Sequence, residues 1–357
     1  MIGRPRPAVD GLPAYRPGKG AAQAEAEHGI VDAIKLASNE TPWGPVPSVV
    51  AAIETAAGDV NRYADHRATA LRERLADRLG VDTAMVTAGC GSVGLLQQLC
   101  LTYVDPGDEV VYPWRSFEVY PVYTRLVGGI AVTLPLVDDR FDLDAVADSV
   151  TERTKLVVLA TPNNPTGTSV STVELAAMLD RIDERTVVVI DEAYREFNDP
   201  AFGDPVVDLL PRYDNVMVLR TFSKAQGLAA LRVGYGVAHP DVIEAVDKTL
   251  FPFAVNGLAQ VAALAAIEAE DEIMERVELL RAERNRVVAA LRRDGLALPD
   301  PQANFVWLPV GERTDDLYLE LERRGVVTRP FSGEGIRVTI GTPEENDRFL
   351  ATLAEVI

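Results

Sequence analysis

Three stretches decide how this chain is read: KLVVLATPNNPTG (residues 155–167), TVVVIDEAY (186–194) and VMVLRTFSKAQGLAALRVGYG (216–236). Each is a short apolar run that stops abruptly in polar or turn-forming residues. VELAAMLDRIDE (173–184), between the first two, has helical period. A strand that is apolar along its whole length needs cover on both faces. Strands alternating with helices therefore predict βαβ units and a mostly parallel sheet.

The alternation extends toward the N-terminus. β-rich runs occur at AMVTA (84–88), DEVVYP (108–113) and IAVTLPL (130–136), with helical stretches at 92–104, 116–128 and 143–150. Before them, ALRERLADRLG (70–80) places Leu71, Leu75 and Leu79 on one helical face and stops at Gly80, and another helix is expected from Val46 to about Ala57. After about Phe251 the pattern changes. A long helical stretch (256–295) leads to isolated strands at ANFVWLP (303–309), VVTRP (326–330) and GIRVTIG (335–341), then to a closing helix. The expected architecture is α/β: an arm over residues 1–45, a large domain with a mostly parallel sheet flanked by helices over 46–250, and a smaller α+β domain over 251–357.

Composition narrows the function classes. Of 357 residues, 47% are hydrophobic and 25% charged, which allows an ordinary core. With 35 basic against 54 acidic residues, the net charge of −19 disfavours nucleic acid and anionic membranes as partners. The opening residues contain no apolar h-region and no run approaches membrane-spanning length, so a cytoplasmic location is expected. Cys90 and Cys100, and His28, His66 and His239, lack metal-ligand spacing, and no metal is expected.

In open α/β sheets, ligands sit at the carboxyl ends of strands. Four such ends carry chemistry. Gly89-Cys90-Gly91-Ser92-Val93-Gly94 fits G-x-G-x-x-G before a helix. That pattern serves plain turns as well as dinucleotides, and the acid expected about twenty residues on is out of place; a phosphate cradle at a helix N-terminus survives. In TPNNPTG, Asn164 sits either in a simple turn or at the crevice. Asp191 ends an apolar strand, where it caps a helix or meets a cation such as a protonated cofactor ring nitrogen. Thr221, Ser223 and Arg232 offer two hydroxyls and a guanidinium to a phosphate. Beside them, Lys224 either snorkels to the surface or, poorly solvated, is a nucleophile toward an aldehyde. Lysine is scarce: Lys19, Lys35, Lys155 and Lys248 are the only others among the basic residues. Together the four ends suit pyridoxal 5′-phosphate (PLP).

At this point the chain resembles a fold-type I PLP-dependent aminotransferase of the histidinol-phosphate aminotransferase group. The likeness runs through LPAYRPGK, LASNETPWGP, NRYADHR, GCGSVGLLQQL, TPNNPTGT, VVIDEAY, TFSKAQGLAALRVGY, QANFVWLP and GIRVTIGTPEEND. Through ASNETPWGP, WRSFEVYP and QANFVWLP it is most similar to the actinobacterial aromatic (phenylalanine) aminotransferase branch.

The resemblance implies that Lys224 forms the Schiff base and Asp191 pairs with the pyridinium nitrogen. It implies contacts of Asn164 and Tyr194 with the phenolic oxygen, and of Thr221, Ser223, Arg232, Gly91 and Ser92 with the phosphate. Phe117, or alternatively Trp114, stacks on the ring. Tyr63 reaches the phosphate from the neighbouring subunit of a homodimer. Arg337 grips the substrate carboxylate, while Asn39, Arg329 and Tyr15 complete the substrate site. Gln226 and Ala230 depart from the usual SKAFGLAGLR without removing a catalytic group.

The implied reaction is transfer of the amino group between aromatic amino acids and 2-oxo acids such as 2-oxoglutarate. Histidinol phosphate is the rival substrate, because Arg329 with Arg337 could hold its phosphate; a threonine-phosphate decarboxylase shares the scaffold. An NAD-dependent dehydrogenase using GCGSVG is the alternative from another class. A PLP-fold transcription regulator would need a basic DNA-binding module, against the strongly negative net charge.

Overall fold

The computed structural model describes residues 3–12 and 18–357. A two-residue strand, β1 (Ile34–Lys35), precedes the central sheet. That sheet takes β2 (Val86–Gly89), β3 (Glu109–Trp114), β4 (Ile130–Pro135), β5 (Thr154–Ala160), β6 (Val187–Asp191), β7 (Val216–Thr221) and β8 (Gly234–Ala238) in the spatial order β2-β8-β7-β6-β5-β3-β4. β8 runs antiparallel to both its neighbours, and the remaining pairings are parallel.

The apolar runs behave as double-sided strands. Leu156, Val158, Ala160, Val189, Met217 and Leu219 face one hydrophobic cluster. Their neighbours Val157, Leu159, Val188, Ile190, Val216 and Val218 face another. The period of two sends alternate side chains to opposite faces, and both faces are covered. Each fully buried Val, Leu or Ile contributes roughly 1.5–3 kcal/mol relative to exposure. These three strands are therefore the rigid floor beneath the polar residues at their ends.

β8 was not expected as a strand, because its glycines dilute the β pattern. Packing explains them. A Cβ at Gly234 would lie 2.3 Å from the Ser92 backbone nitrogen, and one at Gly236 would lie 2.2 Å from Met217 Cε. The strand is thin so that the helix after β2 and a β7 side chain can approach it.

The second sheet is β11-β12-β9, formed by β9 (Phe305–Leu308), β11 (Arg329–Phe331) and β12 (Gly335–Thr339), all antiparallel. VVTRP splits: β10 (Val326–Val327) leaves this sheet and pairs in parallel with β1, whereas β11 stays. The N-terminal segment then wedges between them, with Leu36 N–H donating to Val327 O at 2.7 Å and Thr339 N–H to Leu36 O at 2.9 Å. The long helical stretch is two helices, Gly257–Glu268 and Glu270–Arg293, broken at the non-helical Ala269. Gly80 ends its helix in the left-handed region, as its position in the sequence suggests. Among the described residues no helix is long and apolar enough to cross a membrane.

Candidate active site

The carboxyl ends of β5, β6 and β7 open onto a cavity of about 250 Å³, which the N-terminal segment and the smaller sheet close from the other side. It brings together Asn39, Ser92, Phe117, Asn164, Asp191, Tyr194, Thr221, Ser223, Lys224, Arg232, Arg329 and Arg337. Twelve positions read as site residues thus line one space. Tyr15 lies outside the described residues.

One end of the cavity is built for an anion. The helix Gly91–Tyr103 begins without a side-chain cap, leaving its first N–H groups for another acceptor. Thr221 Oγ1 donates to Ser223 Oγ at 3.0 Å and accepts from the Ser223 N–H at 3.1 Å. Arg232 Nη1 donates to the same Ser223 hydroxyl at 3.3 Å and to Ala229 O at 2.8 Å. Gly91 has φ +72°, and a Cβ there would come within 2.7 Å of Arg232 Nη2. Glycine is needed both for the backbone and for the guanidinium beside it.

Asp191 lies at the centre. Tyr120 donates its hydroxyl to Asp191 Oδ2 at 3.0 Å, while Oδ1 is buried without a hydrogen-bond partner. Burial raises the Asp191 pKa to about 6, against the pull of the Tyr120 hydroxyl. An acceptor-only carboxylate with one unused buried oxygen fits a protonated ring nitrogen, which would supply the missing donor and the compensating charge. Together with the anion cradle, this fits the ring nitrogen and the phosphate of PLP. Tyr120 was not anticipated; the acidic strand end in the sequence is the only signal that such a donor should exist.

Lys224 Nζ donates to Ser38 O at 3.4 Å and stands 5.5 Å from the Tyr194 ring centroid. Burial first, then the positive charge of Arg337, lowers its pKa to about 8. A larger fraction of the amine is therefore neutral and nucleophilic near physiological pH than for an ordinary lysine.

The opposite end is a network of long-range partners. Arg337 Nη1 donates to Asn164 Oδ1 at 2.6 Å and Nη2 to Ala37 O at 2.7 Å. Asn39 Nδ2 donates to the Tyr194 hydroxyl at 2.9 Å, and its Oδ1 accepts from Thr339 Oγ1 at 3.0 Å. Arg329, opposite Arg337 in the β11–β12 register, donates to Glu118 Oε2 at 2.8 Å.

Phe117 borders the cavity and meets Tyr120 edge-on at 5.8 Å. Trp114 packs instead against Tyr112 and under the Arg115 guanidinium. Tyr63 is 85% exposed, away from its own chain's cavity, stacked on Phe253 at 4.4 Å. Gln226 donates to Glu196 at 2.9 Å and Ala230 is exposed, so neither borders the site. Of the glycine pattern, Gly89 ends β2, Gly91 opens the following helix and Gly94 lies within it.

Comparison with known proteins agrees with this geometry. The family model for aminotransferase class I and II matches residues 31–353. The aromatic amino acid aminotransferase of Thermobifida fusca is 52% identical over 346 residues, covering 97% of this chain and 95% of that protein. The Mycobacterium tuberculosis protein of the same name is 47% identical over 352 residues, covering 98% and 97%. Among solved structures, the histidinol-phosphate aminotransferase of Sinorhizobium meliloti in complex with pyridoxal-5′-phosphate superposes with a TM-score of 0.91 at 32% identity, covering 100% of this chain and 98% of that one. That likeness sets aside a dehydrogenase built on the glycine turn. The lysine after β7 and the acid at the end of the neighbouring β6 share one cavity with an anion cradle, and this chain belongs to the class I and II aminotransferases.

Proposed function

We propose that the chain uses PLP to exchange amino groups between aromatic amino acids, phenylalanine above all, and 2-oxo acids. The observation that carries the cofactor is the pairing, in one cavity, of a lysine with a lowered pKa and an aspartate with a buried unpartnered oxygen. Thr221, Ser223, Arg232 and the Gly91–Ser92 backbone hold the phosphate. Asp191 holds the ring nitrogen, Asn164 and Tyr194 the phenolic oxygen, and Phe117 the ring face.

When bound, PLP supplies an aldehyde for amine exchange and a ring that takes up the electron pair left at Cα. Lys224 Nζ would accept the substrate's Cα proton as general base and give a proton back as general acid. Asp191 keeps the ring nitrogen protonated. Arg337 receives the substrate carboxylate in paired N–H···O bonds, oriented beforehand by Asn164 and the Ala37 carbonyl. Arg329 and Asn39 border the distal side chain.

The aromatic preference is supported by relatives of that name at about half identity over nearly the whole chain. The histidinol-phosphate reading is supported by the structural neighbour. Cofactor-loaded protein mixed separately with phenylalanine and with histidinol phosphate distinguishes them. Faster loss of the cofactor's visible absorbance with phenylalanine is expected; a far faster reaction with histidinol phosphate overturns the assignment. A homodimer with Tyr63 completing the partner's phosphate site is supported by the exposed stack of Tyr63 on Phe253, with exposed Val60 and Phe251 near them in sequence. A monomeric mass in the active protein overturns it.

A further inference from the structure

The backbone of Asp191 is pinned on both sides. It pairs with Ala160 on β5 and Leu219 on β7, and its carbonyl accepts from the Thr161 N–H at 3.0 Å. What remains is rotation of the carboxyl group, and there Tyr120 acts: its hydroxyl donates to Oδ2 at 3.0 Å, while Oδ1 is buried without a partner. Tyr120 is itself held. It is 2% exposed, and the rings of Tyr112 and Phe117 meet it edge-on at 5.9 and 5.8 Å. Burial, reinforced by the nearby Asp191 charge, raises the phenol pKa well above its ordinary value, so the group is a donor throughout the physiological range. Around Asp191, the Ala193 N–H and the Lys224 charge also favour the ionised carboxyl, and the Glu192 carboxylate opposes it. Glu192 is paired with Arg220 at 2.8 Å and with Arg195 at 3.5 Å. The Lys224 charge is absent whenever that amine acts as nucleophile, which leaves the hydroxyl and the Ala193 N–H to support the ionised form.

We propose that Tyr120 is a positioning residue for the cofactor's ring nitrogen: by donating to Oδ2 it fixes the carboxyl plane of Asp191, holds that group ionised and presents Oδ1 as the acceptor for the ring N–H. This rests on the PLP reading above. A buried carboxylate is costly unless donors meet it, and a hydrogen bond to the charged form favours that form. Without the hydroxyl, the carboxyl group would keep its own proton more readily and could turn about its bond. Both changes weaken its bond to a protonated ring nitrogen. Phe117, which borders the cavity where the ring face would rest, lies one helical turn before Tyr120. One short segment would therefore align both the face and the nitrogen of the ring.

The test is Tyr120→Phe, which keeps the ring between Tyr112 and Phe117 and removes only the hydroxyl. Dissociation constants are measured by equilibrium dialysis for PLP and for its deaza analogue, in which carbon replaces the ring nitrogen. The analogue keeps the phosphate, the phenolic oxygen and the aldehyde but offers Asp191 no N–H. Tyr120→Phe is expected to weaken PLP binding about tenfold and binding of the analogue by less than about threefold. In an Asp191→Asn background, Tyr120→Phe should change either constant by less than about threefold, because the group it acts through is gone. Equal weakening of both compounds shows that the phenol merely packs the site, and unchanged PLP affinity shows that the hydroxyl is not used; either result overturns the proposal. A wild type that binds neither compound overturns the PLP reading instead, so the two failures are distinct.

Discussion

The two ends of the cavity are made differently. The end proposed for the cofactor is local: Thr221, Ser223, Lys224 and Arg232 come from a single strand-turn-strand passage, and Asp191 ends the neighbouring β6. The substrate end is assembled across the chain, with Asn39 bonded to Thr339 and Arg337 bonded to Ala37 and Asn164. A cofactor bound in every turnover is suited by a rigid floor of doubly buried strands. A site that must accept several amino and oxo acids is instead placed where two sheets and a terminal segment meet.

This contrast can be broken by substitutions, one that strikes both ends and others that strike one end only. Lys224→Ala touches both, and its effect should be largest: transamination falls roughly 10⁴-fold or more, since the nucleophile and the proton carrier are one group. Cofactor should still be retained on ultrafiltration, held by phosphate and ring contacts. Substantial turnover in that variant would sink the mechanism. Arg337→Lys, which removes the paired geometry, should raise KM for amino acids on the order of 10-fold to 100-fold while cofactor affinity stays near wild type. Equal losses of both would show that the ends are not separable.

Gly91→Ala is the converse. A Cβ there strains a left-handed backbone and presses on Arg232, so cofactor affinity should drop about tenfold, while KM for phenylalanine at saturating cofactor changes little. The smallest expected signal is a pH shift. Burial and Arg337 disfavour the Lys224 cation, moving its pKa from 10.5 to about 8. In cofactor-free protein, acylation of Lys224 by a small amine-reactive acyl donor, followed by peptide mapping, should therefore be half-maximal near pH 8. A midpoint for Lys224 above pH 10 contradicts the buried, neutral amine.

Legibility in the sequence follows the same division. The parallel strands were readable because double-sided burial leaves unbroken apolar runs, and the residues just past them could be named as site candidates. β8 was not readable, since its glycines answer to Ser92 and Met217, which are distant in sequence. The division of VVTRP between two sheets was hidden for a related reason: β10 follows its partner β1, nearly three hundred residues earlier, rather than its own β pattern. Tyr120 as the donor to Asp191, and Glu118 as the partner of Arg329, depend on side chains meeting across elements that no local pattern links.

By itself, the sequence determined the alternation of strands and helices, the lysine after β7, the acid after β6 and the glycine turn after β2, because each is set by local periodicity and backbone conformation. Only the tertiary structure decided what packs against the two arginines of the smaller sheet. Asn164 and Ala37 beside Arg337, and Glu118 beside Arg329, are contacts of long sequence separation, and the electrostatics of a side chain depend on what packs against it.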